Sequence, residues 1–277
     1  MELNFTKMHG TGNDFILVDA RSLDISDLEG TTRKLCERKF GVGADGLILV
    51  LPSETCDFRM QIINADGSEA EMCGNGIRCF AKFLYEKGIT EKTELSVETL
   101  AGVIKPELLA DGRVRVDMGE PRLLREEIPM NGPDGEKVIN EGIEIDGETI
   151  NITAVSMGNP HAVTFVSSTE SHPVEEIGTV VETHKLFPKK TNVEFVEILS
   201  DEEINMRVWE RGCGETLACG TGACASAVAC SLNGKTKRNI RVNLIGGTLE
   251  VVWDKETNHI FMTGPATTVF EGTLNNI

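Results

Sequence analysis

The sequence predicts an α+β protein made twice: two pseudo-symmetric domains, each a strand-rich shell around one buried helix. Three observations carry this reading. Two similar elements, Cys73-Gly74-Asn75-Gly76 and Cys219-Gly220-Thr221-Gly222, stand 146 residues apart. The same offset joins Gly12 to Gly158, Asn13 to Asn159, Asn64 to Glu210 and Gly88 to Gly234. Agreement at separated places with no net insertion marks a duplication. Finally, a helical pattern follows each Cys-Gly-x-Gly element, among many short runs of strand type.

The elements follow in order along the chain. Asp14 to Val18 reads as a strand, and so does Met60 to Ile63, which ends at Asn64. A helix is expected over about Gly76 to Lys87, because Ile77, Phe80, Ala81 and Leu84 fall at the spacing of a buried stripe. Gly88 sits where a left-handed C-cap would end it. Arg113 to Asp117 is another strand. Gly119 to Lys137 holds Pro121, Pro129, Pro133 and three glycines, a composition that suits a linker or a loose edge. In the second half Met206 to Trp209 matches the strand before Asn64. The helix over about Gly222 to Leu232 is apolar nearly all round, so it should be enclosed by protein. Gly234 would cap it, and strands follow at Asn239 to Leu244 and Thr248 to Trp253. The expected domains are 1–118 with 264–277, holding Cys73, and 119–263, holding Cys219.

Composition narrows the function. The chain has 277 residues, 40% hydrophobic and 26% charged, enough to bury a sizeable core. Its formal net charge of -17 repels phosphate backbones and argues against nucleic acid. An acidic substrate would need a local positive field inside its site. The first twelve residues show no signal-peptide pattern, and the longest apolar run, Gly46 to Leu51, is too short to span a bilayer. A cytoplasmic protein away from membranes is expected. Its eight cysteines should then be unpaired, and without a C-x-x-C spacing a metal site is poorly supported. There is no P-loop or dinucleotide fingerprint, so no cofactor is expected. The oligomeric state is not fixed, and a homodimer stays open.

Each motif sets a cysteine before a glycine-rich helix start. The first N–H groups of a helix have no partner within it, and its dipole is positive there. A thiol at that point should have a lowered pKa, and a carboxylate docked there receives several N–H bonds. Two such starts facing one another would let the amides of Gly74, Asn75, Gly220 and Thr221 hold one carboxylate. Its α-carbon would then lie between two sulfurs. One thiolate removes the α-proton while the other thiol supplies one from behind, which inverts the centre. The charge developing on the carboxylate is stabilised as in an oxyanion hole. Cys36, Cys56, Cys79, Cys213, Cys224 and Cys230 have no cysteine partner in the repeat and read as structural.

The run Asn64 to Arg78, with Lys7 to Phe15, Met157 to His161 and Glu210 to Gly222, resembles the signatures of the diaminopimelate epimerase family over essentially the whole chain. The resemblance implies interconversion of L,L- and meso-diaminopimelate, in lysine and peptidoglycan biosynthesis, without pyridoxal phosphate or metal. It implies two domains, each a mixed sheet or barrel wrapped around a central helix, with the C-terminal strand returning to the first. It gives Asn13, Asn64, Asn159, Asn192 and Arg211 the distal, non-reacting end of the substrate, and has His161 and Glu210 assist the cysteines. Glu210 would also meet the substrate ammonium. Where some members carry Gln, this chain has Gly46, the repeat partner of Asn192, so one distal contact is lost or replaced.

Two rivals remain. A proline racemase or hydroxyproline epimerase shares the two-thiol logic but would not need the asparagines and Arg211. A non-catalytic amino-acid-binding protein could use the same helix-dipole pocket. Exchange of the α-proton with solvent discriminates them.

Overall fold

The computed structural model describes residues 2–23, 25–145 and 147–275. The chain divides into two compact units, Met1–Asp117 with Thr263–Ile277, and Met118–Met262. In chain order the first contains β1 (Glu2–Gly10), β2 (Asn13–Asp19), α1 (Leu28–Cys36), β3 (Gly46–Leu51), β4 (Phe58–Asn64), β5 (Glu69–Ala70), α2 (Gly74–Glu86), β6 (Val97–Thr99), β7 (Gly102–Ile104), β8 (Pro106–Leu108) and β9 (Val114–Asp117). The second contains β10 (Glu141–Ile145), β11 (Glu148–Ser156), β12 (Pro160–Phe165), α3 (Val174–Glu182), β13 (Asn192–Ser200), β14 (Glu203–Glu210), β15 (Gly214–Thr216), α4 (Gly220–Leu232), β16 (Asn239–Leu244) and β17 (Gly247–Trp253). The chain then passes through β18 (Ile260–Gly264) and ends in β19 (Thr267–Asn275), which belongs to the first unit.

The two units share one topology. The first sheet runs β19-β1-β2-β3-β4-β6-β7, with β5 on β4. In the second the same slots are filled by β10-β11-β12-β13-β14-β16-β17, with β15 on β14. Directions agree throughout. β2–β3 and β12–β13 are parallel, as are β4–β6 and β14–β16, and the other pairs in those slots are antiparallel. The register is also repeated: Phe15 stands opposite Gly46 as His161 stands opposite Asn192. β1, α1 and α2 each recur 146 residues later as β11, α3 and α4. Only the first slot differs in origin, since β19 comes from the chain's end and β10 from just before β11.

Each sheet wraps its central helix because that helix has little polar surface to leave outside. In α2 the stripe Ile77, Phe80, Ala81 and Leu84 is buried as the spacing predicts, against β1 to β4 and the β8–β9 hairpin. α4 is buried from Gly222 to Cys230, facing Val155, Val163, Met206, Val242 and Leu249. Small residues let the surrounding strands approach it. Gly88 and Gly234 follow the helices at φ +64° and +65°, the left-handed conformation that glycine adopts without strain. α1 and α3 cover the outer faces of the sheets.

The stretch from Gly119 to Lys137 is not a loose linker. Arg122 bridges to Ser156 and Leu124 to Lys137, and Arg125–Glu127 forms a turn of 3₁₀ helix. Ile128, Met130 and Val138 are buried in the core under α3, and the buried Arg125 pairs with Glu141. Its prolines and glycines shape a packed strap, so composition alone misread it. Among the described residues no helix is long and apolar enough to cross a membrane.

Candidate active site

In the first unit Cys73 is the N-cap of α2, in extended conformation (φ −138°, ψ 121°), and its sulfur accepts from the Gly76 N–H at 3.4 Å. β2 begins at Asn13, whose side-chain Oδ1 lies 3.5 Å from Cys73 Sγ and accepts from Asn75 Nδ2 at 3.2 Å. Asn75 is itself fixed. Its Oδ1 accepts from Thr11 Oγ1 at 3.3 Å and from Arg78 Nη2 at 2.8 Å. Arg78 is fully buried, and it also donates to the carbonyls of Gly74 and Pro265. A cation one turn into α2 thus adds its charge to the positive helix start beside Cys73. On the other side of Asn13, Asp45 accepts from its Nδ2 at 2.7 Å. Asn64 does not join this group: it is exposed and donates to Ser68. Gly46 is buried, and a Cβ there would lie 2.9 Å from the carbonyl oxygen of Ile63. A larger residue at 46 therefore requires backbone adjustment.

In the second unit Cys219 is the N-cap of α4 (φ −122°, ψ 114°) and accepts from the Gly222 N–H at 3.4 Å. Thr221 Oγ1 lies 3.5 Å from the sulfur and accepts from Asn159 Nδ2 at 3.3 Å. The two asparagines thus reach equivalent points of the two motifs, Asn13 at Asn75 and Asn159 at Thr221. Asn159 Oδ1 meets His161 Nε2 at 3.0 Å, and His161 Nδ1 meets Glu194 Oε1 at 2.7 Å. Glu210, half-buried at the end of β14, accepts from the Thr216 hydroxyl. Asn192 is tied to backbone at both ends, to Pro160 O at 2.9 Å and to Arg211 N at 2.9 Å. It braces the loop that presents Arg211, whose exposed guanidinium donates to Lys189 O.

The expected lowering of the thiol pKa does not hold for Cys219. Burial pushes this thiol well above the usual range, and the carboxylates of Glu210 and Glu194 push it further. The Thr221 hydroxyl and Gly222 amide oppose them without prevailing. A helix start is a partial charge, whereas desolvation and two nearby carboxylates act on a full one. Cys219 therefore rests as a thiol. Burial also raises Cys36 to about 11 and Cys79 and Cys230 to about 12, which makes them inert packing residues.

Two site residues escaped the sequence reading. Glu194 is a charge inside the apolar run Val193 to Val196, and its repeat partner is Ile48; that mismatch was its signal. Arg78 lies between Ile77 and Cys79 on a buried helix face, where the second repeat has Cys224. Its position three residues after Asn75 could have suggested that it holds the asparagine. Among the described residues, no cluster of three or more His, Cys, Asp or Glu could hold a metal ion.

A duplicated unit, one sheet wrapped around one central helix and made twice, defines a fold class with known solved members. A phenazine biosynthesis protein of the PhzF family from Bacillus anthracis superposes with a TM-score of 0.72, at 19% identity over 100% of each chain. A hydroxyproline epimerase from Agrobacterium vitis gives 0.70, at 16% identity over 99% of this chain and 92% of that one. These likenesses define the fold. The family model for diaminopimelate epimerase matches residues 5–124 and 153–269. The diaminopimelate epimerase of Moorella thermoacetica is 58% identical over 275 residues, 98% of each chain. This chain belongs to the diaminopimelate epimerase family.

Proposed function

We propose that this chain epimerises L,L-diaminopimelate to meso-diaminopimelate, passing the α-proton between Cys73 and Cys219 with no cofactor. The observation that carries the reading is the repeated placement of the two thiols. Each caps the central helix of its unit, at the same point of the same topology, beside the helix-start amides. Those amides, at Gly74, Asn75, Gly220 and Thr221, would receive the reacting carboxylate. A thiolate takes the α-hydrogen as a proton and becomes a thiol. The electron pair left on carbon is held by the carboxylate and its donors. The opposite thiol protonates the carbon from the other face and becomes the thiolate. The net change is inversion, with the charge moved from one sulfur to the other.

His161 and Glu210 adjust the proton affinity of Cys219 in this scheme, and Glu210 meets the substrate ammonium. Asn13, Asn64, Asn159 and Arg211 hold the distal centre, with Asn192 bracing the loop that presents Arg211. An exposed arginine gives a net-acidic protein the local cation that a dicarboxylate substrate needs, in a fork that can grip carboxylate with two hydrogen bonds. The test is incubation of the reduced protein with diaminopimelate in heavy water. Solvent deuterium is expected at the α-carbon as the isomers equilibrate. Exchange with proline instead would favour the rival enzyme, and no exchange with either would leave a binding protein.

A further inference from the structure

The loop that carries Arg211 is held by a buried carboxylate to which the reaction scheme gives no part. Glu182 ends α3 and is 5% exposed. Its Oε2 accepts from Trp209 Nε1 at 2.8 Å, and its Oε1 from Lys190 Nζ at 3.0 Å and from the Gly212 N–H at 3.1 Å. Each donor adjoins Arg211 in a different way. Trp209 lies two residues before it on β14, and Gly212 follows it in left-handed conformation at φ +78°. Lys190 follows Lys189, whose carbonyl accepts from the Arg211 guanidinium at 3.1 Å. Lys190 itself stands at φ +60°, a conformation that a residue other than glycine holds only at a cost.

The fold does not demand this arrangement. The repeat partners of Glu182, Trp209, Lys190 and Arg211 are Cys36, Ile63, Ala44 and Ala65, on elements of the same order and register. α1 thus packs on its sheet with a cysteine at its end, and the carboxylate, indole and lysine occur in the unit that has the arginine. The indole packs so closely on α3 that a Cβ at Gly178 would lie 2.6 Å from Trp209 Cγ. The direction of each hydrogen bond to Glu182 is fixed, because the indole, the ammonium and the backbone amide can only donate. Burial alone would raise the Glu182 carboxyl, but the Trp209, Lys190 and Gly212 donors outweigh it and hold it below its usual range. The group is an anion that ties together the chain on both sides of Arg211. Asn192 adds one more tie, accepting from the Arg211 N–H.

We propose that Glu182 is a positioning residue for Arg211. By gathering Trp209, Gly212 and Lys190 it fixes the loop and the Lys189 carbonyl that orient the guanidinium, and so sets affinity for the distal carboxylate of diaminopimelate without entering the proton transfer. The proposal rests on the reading of Arg211 given above. The distal centre does not react, so it is gripped equally in the bound substrate and in the transition state. Loss of such uniform binding raises KM and leaves kcat unchanged. A loop ordered beforehand also spares the entropy of ordering it when substrate arrives.

The test compares Glu182→Gln with the double variant Glu182→Gln, Trp209→Phe, reading kcat and KM for both isomers. The amide keeps the shape of the carboxylate, but it has one oxygen, so its NH2 is set against one of the donors. With the oxygen on Lys190 and Gly212, that donor is the indole. Phenylalanine removes the indole N–H and keeps a ring against Gly178. In Glu182→Gln, KM is expected about tenfold higher, the equivalent of one ordinary hydrogen bond, with kcat within about twofold. The double variant should recover most of the loss. The same Glu182→Gln change in an Arg211→Lys background should lower kcat/KM by less than about twofold further, because no guanidinium is left to place. If Glu182→Gln does not fold, Lys190→Met carries the measurement. It removes one donor from an exposed chain and should raise KM about threefold, as an exposed ion pair allows. With wild-type exchange intact, an unchanged KM, a fall in kcat alone, or a full further loss of about tenfold in the Arg211→Lys background would overturn the proposal. An Arg211→Lys variant with the wild-type KM, or no exchange in the wild type, would remove the reading of Arg211 on which it rests.

Discussion

Gly76 and Gly222 occupy equivalent positions, three residues into the turn that each cysteine caps, yet their surroundings differ. A Cβ at 76 would meet Ile48 Cδ1 at 3.1 Å, Cys73 Cβ at 3.3 Å and Ile62 Cδ1 at 3.5 Å. A Cβ at 222 would meet Glu194 Oε1 at 2.8 Å, Cys219 Cβ at 3.3 Å and Cys219 Sγ at 3.4 Å. Gly→Ala in a helix gains about 1 kcal/mol in propensity. At 76 the methyl ends of two isoleucines must give by a few tenths of an ångström, so the gain and the cost nearly cancel. At 222 the obstacle is a buried carboxylate held at 2.7 Å by His161, with no open space to enter. Overpacking such a site costs about 1–3 kcal/mol, and loosening a hydrogen bond of this charge-assisted kind about 1.5–3 kcal/mol. Gly222→Ala should therefore destabilise by about 2–4 kcal/mol net, while Gly76→Ala stays within about 1 kcal/mol of the wild type. At roughly 2–4 °C per kcal/mol, the two variants should separate by at least about 2 °C in calorimetry. Gly222→Ala should also lose turnover. Equal melting temperatures and equal rates would refute the claim that Glu194 is rigidly lodged behind the Cys219 loop.

Two further outcomes are expected. Cys73→Ala and Cys219→Ala should each abolish stereoinversion, while circular dichroism and melting stay close to wild type; turnover in either variant would contradict a two-thiol mechanism. Asp57 carries a pH dependence of stability. A hydrogen bond from Lys92 and then the Ser96 N–H hold its carboxyl at about 2, tying the start of β4 to the segment before β6. Because this pKa is depressed on folding, the contribution is complete above the ordinary carboxylate range and disappears as pH falls through about 2. Asp57→Asn should cost about 1–2 kcal/mol at neutral pH, and its melting temperature should converge with the wild type's in acid. A gap that persisted at pH 1.5 would count against this ion pair.

The duplicated architecture was legible because glycines and asparagines at helix caps and strand starts leave a pattern that survives divergence of the packing. Gly88 and Gly234, and Asn13 and Asn159, mark the repeat for that reason. The helical stripe of α2 was legible for another: a helix inside a sheet must be apolar on the faces it buries. Three things were hidden. The strap at 119–137 uses prolines inside a packed layer, and no local signal separates that from a linker. The raised thiol of Cys219 depends on burial and on carboxylates from β13 and β14, distant in sequence. Glu194 is a buried carboxylate whose partner His161 lies on the neighbouring strand, and Arg78 joins Thr11 and Pro265, far along the chain, to its partners within α2, so neither reads fully as part of a site until the strands are paired.

The C-terminal strand β19 fills in the first unit the slot that β10, a local hairpin partner, fills in the second. The consequence lies in the order of synthesis. The second unit, Met118–Met262, is continuous in the chain and can close as soon as it has emerged. The first must hold β1 with one side unpaired until Thr267–Asn275 arrives. At about 5–20 residues per second the ribosome takes roughly 10–30 s to travel from the end of β9 to the end of β19. Through that interval β1 presents an open ladder, the kind of edge on which chains aggregate. Losing the last strand would therefore injure the half of the protein that was made first.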